Sequence, residues 1–303
     1  MRWFETADYN FVGNRKIAYV ISGILVAASI IALIFKGPQF GIDFTGGKEY
    51  VLEFEQPVEV AEIRDALEAP LGGSPSVKLF GSPVDILIRT DAEGEISAVQ
   101  EDITTAVQQL YPDNPVTIIK TSIVGARFAD DLKAAALNAI IFAVIIIFIY
   151  ILIRFKKWTY STGAVAALAH DILIVLGVFT IFSGIAPFSM EIDQTLIAAL
   201  LTILGYSIND TVVVYDRVRE RLQTHKTKDF TSLMNKGMND TLSRTVITGL
   251  TTFFSVLVLF IFGGETLKGF SFALMLGIAV GTYSSIFVAT SITIDLELKR
   301  RKA

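Results

Sequence analysis

Apolar residues fall along this chain in six long runs, near residues 17–35, 134–153, 160–182, 192–215, 241–262 and 270–294, with polar stretches between them. Each run is on the order of 20 residues, long enough as a helix to cross roughly 30 Å of hydrocarbon. The pattern predicts six transmembrane helices. The first run resembles a signal peptide by position, but it exceeds the usual apolar core of about 7–15 residues. The sequence Phe35-Lys36-Gly37-Pro38-Gln39 that follows lacks a small-residue cleavage signal, so the run reads as an uncleaved span.

Between the first two runs the periodicity changes. Residues 51–55 alternate as a strand, and 58–67 place Val60, Ile63, Ala66 and Leu67 on one side of a helix. Gly72-Gly73-Ser74-Pro75 stops that helix. Residues 77–80 and 84–88 flank Gly81-Ser82-Pro83 as a hairpin. A second helix over 97–110 and a strand over 116–119 complete the order β-α-β-β-α-β, the ferredoxin-like pattern. The expected fold is a polytopic α-helical membrane protein of six transmembrane helices with a ferredoxin-like α+β domain between helices 1 and 2. The expected segments are a polar N-terminus 1–16, helix 1 over 17–35, the α+β domain 36–133, helices 2–6 within 134–294, and a basic tail 295–303.

Composition agrees with this reading. The chain has 303 residues, 52% hydrophobic and 18% charged, against about 45–50% apolar and about 25% charged for a soluble domain. With no cysteine there is no disulfide framework and no thiol chemistry. The two histidines, His170 and His225, are too far apart to suggest a metal site. No nucleotide-binding glycine loop in context, metal cluster or nucleophile–base pattern is present. We therefore expect neither an enzyme nor a bound cofactor, and the partners expected are the bilayer and other proteins rather than nucleic acid.

Charge sets the orientation. Most of the 26 lysines and arginines lie in the terminal segments, in 154–157 and in 217–244, while the short loops on the other side hold Lys268 alone. By the positive-inside rule both termini are cytoplasmic and the α+β domain is external, which in a bacterium is periplasmic. Glu191 and Asp193 fall at the outer boundary, where solvation is expected.

Three ionisable residues lie inside the apolar runs: Asp171, Asp210 and Arg244. A carboxylate there costs roughly 2.5–3.5 kcal/mol by insertion scales unless it is neutralised, paired or hydrated, and it marks a functional site by default. At 1.5 Å per residue, Asp210 lies roughly 7 Å and Arg244 roughly 5 Å above the cytoplasmic boundary, on consecutive helices. An Asp–Arg pair at that depth is either a proton relay or a static lock, and the arginine can equally snorkel to the interface. Ser207, Asn209 and Thr211 surround Asp210 in sequence and suit either a proton or a sodium ion. Asp171 is roughly 17 Å deep, near the midplane. It serves either as a second relay residue or as an acceptor for Ser and Thr on neighbouring helices, with His170 on a different face. Gly277-Ile278-Ala279-Val280-Gly281 suits close packing against a neighbouring span or another subunit. In Gly41-Ile42-Asp43-Phe44-Thr45-Gly46-Gly47, Asp43 can bond nearby backbone N–H groups and Gly46 and Gly47 permit positive φ, which makes a shaped junction between span and domain.

Taken together, several motifs resemble the SecF branch of the SecD/SecF family, within the RND superfamily. They are the Gly41–Gly47 motif, Phe11-Val12-Gly13-Asn14-Arg15-Lys16, Leu168-Ala169-His170-Asp171-Ile172, the stretch Gly205-Tyr206-Ser207-Ile208-Asn209-Asp210-Thr211 with Val212-Val213-Val214-Tyr215-Asp216-Arg217, and Asn239-Asp240-Thr241-Leu242-Ser243-Arg244-Thr245. The resemblance covers essentially the whole chain, in order. It implies a bacterial inner-membrane subunit that pairs with SecD beside the SecYEG translocon. There it uses the proton-motive force to promote late preprotein export on the periplasmic side. It also implies that Asp210 and Arg244 are the proton-pathway residues contributed by this chain. A lone RND-type transporter half for a small molecule or lipid, and a scaffold without ion coupling, are the competing readings.

Overall fold

The computed structural model describes residues 8–73, 75–224 and 229–302; His225 lies outside them. The chain forms two compact units. One, a sheet unit, comprises Gln39–Leu137 and Phe182–Thr195, and the other, a helical unit, comprises Met1–Pro38, Asn138–Ile181 and Leu196–Ala303.

In the sheet unit a single helical turn, α2 (Ile42–Thr45), leads into β1 (Gly47–Phe54), followed by α3 (Val60–Leu71), β2 (Ser76–Leu79), β3 (Asp85–Thr90), α4 (Ile96–Leu110) and β4 (Val116–Val124). The strands pair antiparallel in the order β2-β3-β1-β4. This is the ferredoxin-like arrangement expected from the periodicity. The last strand runs further than its apolar alternation suggested, because pairing with β1 continues past a bulge at Val51/Leu52 to Gly47↔Val124.

One face of the sheet, carrying Tyr50, Leu52, Phe54, Ile86 and Ile88, packs with Ile63 and Leu67 of α3 and Ile103 and Val107 of α4 into one apolar core. The opposite face carries Glu49, Val51, Leu87 and Arg89, and is also shielded: Val51 and Leu87 are buried. The cover comes from the segment Phe182–Thr195, whose Met190 and Ile192 are buried. It is held by a parallel bridge in which Gly41 donates N–H to the Ile192 carbonyl at 2.9 Å and Ile192 donates to Gln39 at 2.7 Å.

This segment overturns the expected solvation of Glu191. Its carboxylate accepts from Arg89 Nη2 at 2.8 Å and Lys78 Nζ at 2.9 Å, and Arg89 also bonds Glu49 at 2.9 Å. Burial works to raise the Glu191 carboxyl, and the bonds and charges of Arg89 and Lys78 together outweigh it, so the group sits below the usual carboxylate range.

Among the described residues, six helices are long and apolar enough to cross a membrane: α1 (Arg15–Phe35), α5 (Ala126–Phe155), α6 (Trp158–Phe182), α7 (Gln194–Thr224), α8 (Phe230–Phe262) and a last span over Thr266–Arg301. The last span comprises α9 (Glu265–Ser284), a π-helical turn over Ser285–Ala289, and α10 (Thr290–Lys302). Several helices approach through small residues, as helices in lipid do when dispersion rather than hydrophobicity drives packing. Gly277 and Gly281 of α9 face Ile203 and Ser207 of α7, so the G-x-x-x-G pair serves a neighbouring span.

The segment before α1 folds back onto the start of α8. The Asn239 amide accepts from Tyr9 N and donates to Tyr9 O, both at 2.9 Å, and Asn235 donates to the same carbonyl at 2.8 Å. Phe11 and Val12 complete an apolar cluster with Val214, Val218, Met234 and Met238.

Candidate functional site

The three intramembrane charges lie on α6, α7 and α8, and their surroundings differ. Asp171 is fully buried. Its Oδ2 accepts from Ser207 Oγ of α7 at 2.7 Å and from Ser284 Oγ of α9 at 2.8 Å, while Oδ1 lies 2.9 Å from His170 Nδ1. Of the two alternatives raised for this residue, the geometry shows the acceptor: it bonds serines on two neighbouring helices, and the adjacent histidine turns toward it rather than to another face. Gly281 gives this contact room, since a Cβ there would approach Ser207 Cβ to 3.1 Å.

One turn along α7 the pattern reverses. Asp210 is 2% exposed, and its Oδ2 is buried without a hydrogen-bond partner. Arg244 acts on it electrostatically, but no hydrogen bond or ion pair joins the two among the described residues. Arg244 itself is exposed at the start of the apolar part of α8. The hydroxyls of Thr245 and Thr282 in the same unit are also buried without hydrogen-bond partners among the described residues. Depth in the sequence brought Asp210 and Arg244 within electrostatic range; side-chain geometry leaves the pair open.

Ser207 and Thr211 face inward with Asp210. The Ser285 hydroxyl lies 2.9 Å from Thr211 Oγ1 and 3.1 Å from the Ser207 carbonyl. Asn209 is exposed on another face. Sequence reasoning missed Ser284 and Ser285. Ser284 ends α9 and Ser285 begins the π-helical turn, a feature that often marks functional positions in helices; a serine pair three residues after a G-x-x-x-G was the available signal.

At the junction motif, Asp43 Oδ2 accepts the backbone N–H of Gln194 at 2.9 Å, at the first residue of α7. The carboxylate thereby satisfies one of the free donors of the helix that carries Asp210. Gly41 passes so close to Asp193 that a side chain would meet its Cβ at 2.9 Å. Gly46 and Gly47 take φ of 75° and 105°, which turns the chain from α2 into β1 without strain.

Residues 102–299 match the family model described as protein export membrane protein SecD/SecF, C-terminal, and residues 31–58 match the SecD/SecF GG motif. The chain belongs to the SecD/SecF protein-export family. A protein translocase subunit SecF of Rhodothermus marinus is 52% identical over 99% of this chain and 96% of its own length. That of Haemophilus influenzae is 38% identical over 96% of this chain and 86% of its own. Among solved structures, SecDF of Thermus thermophilus, described as a translocon-associated membrane protein, superposes with a TM-score of 0.86 at 32% identity. That alignment covers 98% of this chain and 40% of the SecDF chain, so the present chain corresponds to less than half of that longer protein. Within the SecD/SecF family frame, the matched region 102–299 contains Asp171, Asp210 and Arg244, and the GG-motif match contains Gly41, Asp43, Gly46 and Gly47.

Proposed function

We propose that this chain is the proton-coupled accessory subunit of a bacterial Sec translocon. It acts in the inner membrane with SecD beside SecYEG to promote late preprotein export, with both termini cytoplasmic and the sheet domain periplasmic. One observation carries the coupling: Asp210, a buried carboxylate on a membrane-spanning helix, has no hydrogen-bond partner on Oδ2 and has Arg244 as the charge acting on it. An unpaired acid costs free energy in that setting, and proton pathways are a recurrent reason for keeping one. The guanidinium stays charged at any relevant pH. Movement of Arg244 toward or away from Asp210 therefore changes how tightly the carboxylate holds a proton. Pairing with SecD is supported by the face of α7 that exposes Thr202, Gly205 and Asn209, because polar side chains at membrane depth favour contact with another helix over lipid.

The test is Asp210→Asn in the reconstituted complex. Stimulation of export by the proton-motive force is expected to disappear while co-purification with SecD stays intact. Undiminished stimulation would overturn the reading. Repeating the wild-type measurement with sodium in place of a proton gradient separates the two coupling ions, and the proton is the one expected to serve.

A further inference from the structure

We propose that His170 and Asp171 form a second proton-binding site in the helical unit, with the exchangeable proton carried on His170 Nε2. Three groups converge on Asp171: the Ser207 and Ser284 hydroxyls donate to Oδ2, and the imidazole Nδ1 lies 2.9 Å from Oδ1, where it donates when the carboxylate is ionised. An ionised carboxylate is acceptor-only, and this set matches it. The carboxylate is fully buried, and His170 is the ion-pair partner found for it among the described residues. The cation within bonding reach is therefore a proton on the imidazole. With Nδ1–H committed to Asp171, that proton adds to the lone pair of Nε2 and leaves from it, while the bond to Asp171 is kept.

Nε2 is placed for this. His170 is 6% exposed, and Nε2 is buried without a hydrogen-bond partner. A histidine serving only as a structural donor has no need of a second nitrogen left unbonded in an apolar interior, where an unmet polar group is costly. Among the titratable groups around the pair, Tyr283 of α9 lies with its ring 6.2 Å from the imidazole, and its hydroxyl is 3.1 Å from Ser22 of α1. From α7 comes Ser207, three residues and so roughly 4.5 Å of helical rise from Asp210. Ser207 thus touches one acid directly and shares a helix face with the other. The pair adds a site to the path proposed for Asp210, and its proton binding can be measured without any export assay.

The experiment is ¹⁵N NMR of histidine-labelled chain in the membrane-reconstituted complex with SecD, with the His170 signal assigned by its loss in His170→Asn. The imidazole is expected to take up a proton at Nε2 as the pH is lowered across the range in which the complex stays intact. Asp171→Asn is expected to move that transition by about one pH unit or more, the size of a neighbouring charge. A His170 that stays in one neutral tautomer throughout, or one indifferent to Asp171→Asn, would overturn the proposal. His170→Asn supplies the second readout, since its amide N–H can replace Nδ1–H but cannot carry the proton. Loss of proton-motive stimulation with SecD association intact supports a used proton, and wild-type stimulation refutes it. The two readings also fail separately. A silent His170 beside an inactive Asp210→Asn leaves Asp210 standing alone, and a titrating His170 beside a fully stimulated Asp210→Asn removes the Asp210 reading instead.

Discussion

Glu191 and Asp210 are both acids hidden from water, and their surroundings are opposite. Glu191, with a side chain 10% exposed, is closed on by Arg89 and Lys78. Asp210 is 2% exposed, and its Oδ2 has no hydrogen-bond partner among the described residues. The first is locked into one charge state, and its value is geometric: it fastens the 182–195 segment to the sheet face opposite α3 and α4. The second feels the charge of Arg244 without a bond that locks it into one charge state. In this molecule, then, saturation of a carboxylate separates a clamp from a candidate switch better than burial does.

The contrast can be broken by exchanging their fates. Asp210→Asn is expected to abolish the proton-motive response with little change in thermal stability, because no bond is lost. If instead the variant unfolds, Asp210 is a structural residue and the contrast falls. Glu191→Ala is expected to do the reverse: Arg89 keeps Glu49 but loses its charge-assisted bond to Glu191, at a cost of about 1.5–3 kcal/mol within the sheet unit. Hydrogen exchange of β1 and β3 should register that loss. Acidification is a milder form of the same change. A carboxyl whose folded-state value lies below its unfolded one stabilises the fold above the unfolded value and loses that contribution as pH falls through the folded one. Protection of β3 should therefore weaken on acidification below about pH 4, and Glu191→Gln should flatten that dependence. The smallest expected effect is at Asp43. Removing its bond to Gln194 with Asp43→Ala should cost about 1 kcal/mol, as loss of a helix cap does. Faster exchange confined to the first turn of α7 would report it, and an unchanged first turn would show that Asp43 does not cap the helix.

Much of this was legible in the sequence, for physical reasons. Spans and strands announce themselves through local periodicity, so the six helices and the β-α-β-β-α-β order could be read directly. The acids at 171 and 210 stood out because charge in an apolar run is expensive. What could not be read was pairing between distant segments. Asp43 looked like a local turn-former, yet its partner Gln194 is 151 residues away. Glu191 looked solvated because it ends an apolar run next to a polar turn, and Arg89 lies 102 residues before it. The π-helical turn over Ser285–Ala289 left no mark on periodicity, since serines and threonines are mixed with apolar residues there and no polar face shows the change of phase.

The clamp on Tyr9 bears on the order of assembly. Its two asparagines lie 226 and 230 residues further along the chain. A ribosome makes the N-terminal segment first, but its docking site does not exist until α8 has been synthesised and placed. The segment around Tyr9 is thus made well before the helix that holds it, and it can settle only after α8 is in place.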